Sequence, residues 1–204
     1  MPVKGESRSV TANARRAQIL TATIETIAEL GYGQASFARI AERAGLSSTR
    51  LISYHFAGKD ELISALIADV YADMGRFMAE RMADCADARD ALATYIRSVV
   101  AYIAAHRAQM QALMSVFLGY RSESGASSYD ADSEREVLGH LQGILRAGQE
   151  SGAFRPFDTF VMAATVQRSI DGLPFLLRTA PDLDLEAYAE ELAELFDRAT
   201  RSAP

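Results

Sequence analysis

The chain reads as all-α, and three features of its 204 residues predict it. Apolar residues recur at spacings of three and four, the period of a helix face. Strict apolar–polar alternation is absent, and so are β-type turn pairs such as Asn-Gly. The pattern predicts three short elements forming a helix-turn-helix head, then a larger antiparallel helical body.

Residues 1–10 are polar and read as a mobile arm. From Thr11 a helix runs to Leu30, with Ile19, Leu20, Thr23, Ile27 and Leu30 on one face and Gly31 and Gly33 ending it. Ser36 caps a short helix, Phe37 to Ala44, whose stripe is Phe37, Ile40, Ala41 and Ala44, and Gly45 stops it. A third short helix follows Ser47 or Ser48 and is broken by Gly58. A long helix, about 60 to 84, opens with Asp60 and Glu61, acids placed where the helix dipole favours them. It links a head at 11–59 to a body at 60–204. Further helices are expected at 87–105, 107–118, 130–151, 158–179 and 185–201. The Gly/Ser-rich stretch Gly119 to Ser128 reads as a loop, with Asp130, Asp132 and Glu134 opening the next helix. Pro174, inside an apolar run, predicts a kink near Asp171-Gly172.

Composition narrows the function classes. No run of roughly 18 uncharged apolar residues occurs, and the start Met-Pro-Val-Lys-Gly-Glu lacks the apolar stretch of a signal peptide. A cytoplasmic location and no membrane partner are expected. Cys85 stands alone, which excludes an intrachain disulfide and a thiolate metal cluster, and it is expected to be buried. The net charge of −6 taken whole argues against nucleic acid. Its distribution reverses that. Residues 1–59 hold eight bases (Lys4, Arg8, Arg15, Arg16, Arg39, Arg43, Arg50 and Lys59) against four acids (Glu6, Glu25, Glu29 and Glu42), for +4. The other 13 bases and 23 acids leave the rest at −10. A basic head on an acidic body presents one face to a polyanion.

Phe37–Ala44, a turn at Gly45-Leu46-Ser47, and Ser48–Phe56 have the lengths of a helix-turn-helix, whose second helix enters the major groove. At about 100° per residue, Ile52 and Phe56 mark its buried side. Arg50 and Tyr54 fall nearly opposite, flanked by Leu51 and Ser53. Arg can bridge guanine O6 and N7, hydroxyls are adaptable partners, and Leu51 can pack on a thymine methyl. Ser48 and Thr49 offer backbone N–H groups to a phosphate, and Lys59 is a second phosphate clamp. The two serines would equally be wanted as caps alone.

The stretch Ile40-Ala41-Glu42-Arg43-Ala44-Gly45-Leu46-Ser47, followed by Ile52-Ser53-Tyr54-His55-Phe56-Ala57-Gly58-Lys59-Asp60-Glu61-Leu62, resembles the N-terminal signature of TetR-family regulators. More loosely, Gly148 to Arg155 and Ile170-Asp171-Gly172 resemble that family's body. The resemblance implies a three-helix DNA-binding head, a variable effector-binding body, and a homodimer joined through the last two long helices. It places Thr49, Arg50, Ser53, Tyr54, His55 and Lys59 where the family contacts DNA, and Ser36 where it touches phosphate. His55 either donates to phosphate or packs beside Phe56. One departure stands out: family members commonly have one residue fewer between the turn glycine and the Phe. Which serine of Ser47-Ser48 caps the helix is therefore open.

In the body, Tyr95, Val99, Tyr102, Met110, Met114, Phe117 and Phe175 are candidate walls of a largely apolar effector cavity, with Arg121, Gln167 and Asp171 as polar anchors. The same residues also suit an ordinary core. The last helix presents Leu185, Tyr188, Leu192, Leu195 and Phe196, and the one before it Ile170, Leu173 and Leu177. An outer apolar stripe of this kind is buried by pairing two copies about a two-fold axis. Two recognition helices about 34–36 Å apart then match successive major grooves of a palindromic operator. Enzyme chemistry lacks its parts: the histidines are His55, His106 and His140, no nucleophile motif surrounds any serine, and no glycine-rich phosphate loop follows a strand. Neither a cofactor nor a metal is expected. The sum is a ligand-responsive transcription regulator, a repressor released from its operator when a small molecule binds the body.

Overall fold

A computed structural model describes residues 4–120 and 131–202. Among them the elements are α1 Lys4–Leu30, α2 Phe37–Arg43, α3 Arg50–His55, α4 Lys59–Met82, α5 Ala88–Ala105, α6 Arg107–Gly119, α7 Ala131–Glu150, α8 Thr159–Asp171, α9 Leu173–Thr179 and α10 Leu185–Thr200. The one β feature among them is an isolated bridge between Phe154 and Arg201. No described helix is long and apolar enough to cross a membrane.

The chain forms two compact units. One runs to Tyr71 and includes the segment from Ala108 to Ser128; the other holds Ala72–Arg107 and Tyr129 onward. The division falls inside α4 and at the start of α6, so the unit around the head takes in the first half of α4 and nearly all of α6, well past residue 59.

In the first unit, α1 begins at Lys4, so residues 4–10 of the expected arm belong to the helix, and residues 1–3 lie outside the described residues. Once a helix is nucleated, each added residue costs little, and no proline interrupts the run from Lys4 to Leu30. Gly31, at φ 81°, ends α1 in a conformation that a side chain would strain. Ile19, Thr23 and Ile27 of α1 are buried together with Ile40, Ile52, Phe56, Leu62 and Leu66, which form the core of this unit. The hydroxyls of Thr23 and Thr26 donate to the carbonyls one turn earlier, at Ile19 and Ala22, which lets them sit in that core. From the other side α6 fastens the α1–α2 turn. The Tyr32 N–H donates to Ser115 Oγ at 2.9 Å, and the Tyr32 ring meets that of Tyr120 edge-on at 5.6 Å.

In the second unit α5 is central and packs against α10, α7 and α8. Asp87, Asp158 and Asp184 cap α5, α8 and α10, each carboxylate accepting two N–H bonds of the first turn. Arg89 and Arg97 each make a two-pronged ion pair from α5 to α10, with Asp197 and Glu190. After α7, the chain turns so tightly that a Cβ on Gly148 would lie 2.0 Å from the Phe154 ring. Phe154 is buried, and its neighbour Arg155 donates its N–H to the Thr200 carbonyl, tying this turn to the end of α10. The expected kink near Gly172 is a full break. Pro174 opens α9 at a first-turn position, where a missing N–H costs nothing. Cys85 is half-buried, because it sits in the connection after α4 and not on a core face.

Candidate nucleic-acid interface

The geometry of the head is decided at two helix ends. Ser36 Oγ accepts the Arg39 N–H and starts α2. The helix stops where Leu46 N–H reaches back to the Ala41 carbonyl and Gly45 N–H to Glu42, with Gly45 at φ 63°. That double reach is the Schellman arrangement, and it needs a residue free to take positive φ. The chain then enters α3 through Ser48. Its Oγ accepts the Arg50 N–H at 3.1 Å and its carbonyl accepts from Leu51, whereas Thr49, the last residue before α3, makes no capping bond. The cap left open by the sequence is therefore Ser48.

Two side chains of α1 hold both ends that face it. Gln18 Nε2 donates to the Ala44 carbonyl at 2.6 Å, at the close of α2. Arg16 Nη1 donates to the His55 carbonyl at 2.7 Å, at the close of α3, and its guanidinium lies 4.1 Å from the centre of the Phe56 ring. Helix C-termini carry unpaired carbonyls and partial negative charge, so a cation and an amide suit these positions. Sequence reasoning missed both residues. The hint available was a basic residue with no acidic partner one turn away on the apolar side of α1.

With α3 held from beneath by Ile52 and Phe56, both fully buried, its opposite side is turned outward. Ser48, Thr49, Arg50, Leu51 and Ser53 are exposed, and Tyr54 is 82% exposed. Ser36 is exposed as well. Four other head arginines are engaged inside the chain: Arg15 with Gln18, Arg16 as above, Arg39 with Gln34, Arg43 with Glu25 and Glu29. The Arg50 guanidinium makes no hydrogen bond or ion pair with another described residue, which leaves its donors for a partner outside the chain. His55 is half-buried, its ring edge-on to Tyr54 at 5.1 Å. Lys59 is placed differently from the other candidates. Its ammonium sits 4.1 Å from the centre of the Tyr32 ring and donates to the Tyr32 carbonyl at 3.4 Å, and burial lowers its pKa. Burial, with Asp60 nearby, raises the Tyr32 phenol. The first residue of α4 is thus pinned to the turn that α6 also grips.

The candidate effector residues are divided between the two units. Met110 is buried and Met114 and Phe117 half-buried on α6, with Phe117 6.5 Å from the ring of Tyr71. In the other unit, Val99 and Tyr102 are buried, and Tyr95, Gln167 and Asp171 form one hydrogen-bonded chain. Tyr95 Oη donates to Gln167 Oε1 at 2.8 Å, and Gln167 Nε2 donates to Asp171 Oδ1 at 2.7 Å. Arg168 joins it, paired with both Asp171 and Glu134. Burial is the largest influence on the Asp171 carboxyl and raises its pKa despite the arginine. Phe175 is 44% exposed, so it faces outward and lines no interior of this chain. Arg121 lies outside the described residues.

The candidate dimer stripe is also redrawn. Ile170, Leu173 and Phe196 are buried within their own chain, because the apolar side of each helix is already covered by its neighbours. Leu177, Tyr188 and Leu192 are half-buried, with Tyr188 Oη donating to the Ser169 carbonyl at 3.2 Å. The large apolar residues left outward here are Phe160 and Val161 of α8, Phe175 and Leu176 of α9, and Leu195 of α10.

Comparison with known proteins places this geometry. The family model described as bacterial regulatory proteins, tetR family, matches residues 19–66, which span α2, α3 and their flanking helices. The regulator BetI of Paraburkholderia phytofirmans is 30% identical over 164 residues, covering 80% of this chain and 77% of that protein. BetI 1 of Chromohalobacter salexigens is 44% identical over 69 residues, a match that spans 34% of each chain. Among solved structures, the transcriptional regulator FadR of Bacillus subtilis, determined in complex with stearoyl-CoA, superposes with a TM-score of 0.74 at 24% identity, covering 88% of this chain and 96% of that one.

Proposed function

This chain belongs to the tetR family of bacterial regulatory proteins, and from that premise we propose that it is a homodimeric repressor that leaves a palindromic operator when a small molecule binds its body. The observation that carries the DNA-reading part is the outward row on α3. Arg50, Leu51, Ser53 and Tyr54 stand exposed on a helix whose underside and both ends are fixed, with the Arg50 guanidinium unengaged. In this reading Arg50 and Tyr54 address base edges, and Ser36, Ser48, Thr49 and His55 position the phosphates. Lys59 reaches phosphate by leaving the Tyr32 ring.

Support for the dimer comes from Phe160, Val161, Phe175, Leu176 and Leu195, a set of exposed apolar side chains on the last three helices that a second copy would cover. Support for an effector comes from the Tyr95–Gln167–Asp171 chain, in which two buried polar side chains lead to a half-buried carboxylate, and from FadR, whose solved form holds stearoyl-CoA. The effector acts by binding more tightly to a body conformation whose heads are misplaced, and lowers operator affinity by that difference.

The deciding experiment selects bound fragments from a random DNA pool with the full chain. Enrichment of an inverted repeat, with an affinity that falls steeply as salt rises, is the expected result. Affinity indifferent to salt would sink the reading and leave a helix-turn-helix used for protein contacts.

A further inference from the structure

Besides its tyrosines, the described part of the chain buries the polar side chains of Thr23, Thr26, Ser98, Gln167 and Thr200. All but one are bonded. The threonine hydroxyls donate to carbonyls of their own helices, while Gln167 accepts from Tyr95 and donates to Asp171. Ser98, on α5 and 3% exposed, makes no hydrogen bond with any described residue. A helical serine or threonine ordinarily donates to a carbonyl three or four residues back, as Thr165 and Ser169 do on α8. A buried hydroxyl left unpaired costs stability, so keeping one calls for a partner from outside the chain.

The surroundings of Ser98 define what that partner is. Tyr95 lies three residues before it and Tyr102 four after, so the three share one side of α5. Both rings are buried, and their hydroxyls are tied to different helices. Tyr95 Oη donates to Gln167 on α8, and Tyr102 Oη donates to Asp73 on α4 at 3.0 Å. Ser98 therefore stands in register between two anchored phenol rings, with its own hydroxyl uncommitted. The carboxylates to which these phenols lead are taken: Asp171 pairs with Arg168, and Asp73 with Arg76. A charged ligand group would have to compete with an existing ion pair or be buried uncompensated, which is costly. A neutral hydroxyl, carbonyl or amide meets neither obstacle, and a serine hydroxyl can donate to it or accept from it.

We propose that Ser98 is a polar anchor of the effector site, where it hydrogen-bonds one neutral hydroxyl, carbonyl or amide group on an otherwise apolar small molecule lying against Tyr95 and Tyr102. This rests on the regulator reading above and narrows its effector to a chemical class. The Tyr95–Gln167–Asp171 chain then serves to fix the Tyr95 ring, and Ser98 supplies the open bond.

Four probes that share one ring and differ in one group test this: benzyl alcohol, toluene, benzoate and benzylammonium. Their binding to the full-length wild type and to Ser98→Ala is measured by titration calorimetry. Benzyl alcohol is expected to bind the wild type most tightly of the four, and Ser98→Ala about fivefold more weakly, the loss of one neutral hydrogen bond. Toluene should not distinguish the two proteins. Without a probe, Ser98→Ala should melt no lower than the wild type, because the hydroxyl it removes bonds nothing in the chain. Equal alcohol affinities in the two proteins, an equal loss for toluene, tightest binding by a charged probe, or binding by none of the four overturns the proposal. A lower melting temperature for Ser98→Ala overturns it as well, since the hydroxyl then supports the fold. Affinity for a DNA fragment selected from the random pool is also measured with and without benzyl alcohol. A change in the wild type that Ser98→Ala lacks is expected, and alcohol bound through Ser98 without such a change overturns the effector role. If no fragment is selected, the regulator reading has failed, and the probe affinities alone decide the site.

Discussion

The head and the body put their polar side chains to opposite uses. In the head, Arg50, Ser53 and Tyr54 are held out to solvent on a helix whose own backbone ends are satisfied by Ser48 and Arg16. In the body, Tyr95, Gln167, Asp171, Arg168 and Glu134 are bonded to one another and offer little to a newcomer. The difference follows from what each region meets. A stiff polyanion is recognised best by groups already in place, because no ordering cost is then incurred on contact. Inside a folded body, donors and acceptors are as a rule kept paired, since each unsatisfied buried group costs about 1–3 kcal/mol.

Breaking the head's half of the contrast takes Phe56→Ala, which removes a buried ring and the surface on which Arg16 rests. A loss of about 3–5 kcal/mol in unfolding free energy is expected, read by denaturant titration, with DNA binding lost alongside it. Gly148→Ala is the corresponding insult to the body. The added methyl meets the Phe154 ring, and about 1–3 kcal/mol of stability should go, visible as a lowered melting temperature. Arg50→Ala sharpens the comparison instead of breaking it. It should leave melting unchanged and cost about 1–3 kcal/mol of affinity at a selected DNA site, with preference relaxed at one base pair. A parallel fall in melting temperature would mean that Arg50 supports the fold.

The smallest effect concerns Asp171. Its folded-state pKa is raised above the ordinary 3.8, so the folded chain holds that proton more tightly than the unfolded chain does. Wild-type stability should therefore decline as pH rises through the carboxylate range. Asp171→Asn should lack that decline. Melting curves of the two proteins that run parallel across this range would show that burial does not govern the group.

What the sequence made legible was whatever is settled within a few residues. Ser36, Gly45 and Glu61 mark helix ends through bonds to near neighbours in the chain, and the 100° wheel of α3 separates Ile52 and Phe56 from Tyr54 without knowledge of any other helix. Pro174 announced an interruption, though not that Gly172 would turn it into a break between α8 and α9. Long-range choices stayed hidden. A helical stripe tells which side of α8 or α10 is apolar but not what covers it, so Ile170, Leu173 and Phe196 looked available for a second copy when their own chain had already buried them. Gln18 and Arg16 act 26 and 39 residues away from their own positions, on main-chain atoms that leave no trace in side-chain patterning. The assignment of α6 to the head's unit is of the same kind, since it depends on Ser115 and Tyr120 meeting Tyr32 across more than eighty residues.

The grip of α1 on the Ala44 and His55 carbonyls has a consequence for variation. Carbonyls are the same in every residue, so Gln18 and Arg16 hold the reading segment without inspecting which side chains it carries. The outward letters of α3 can be rewritten while the mounting stays as it is. The head is a socket with an exchangeable insert. Transplanting residues 49 to 54 from a relative should transfer that relative's DNA preference without redesign of the surrounding helices.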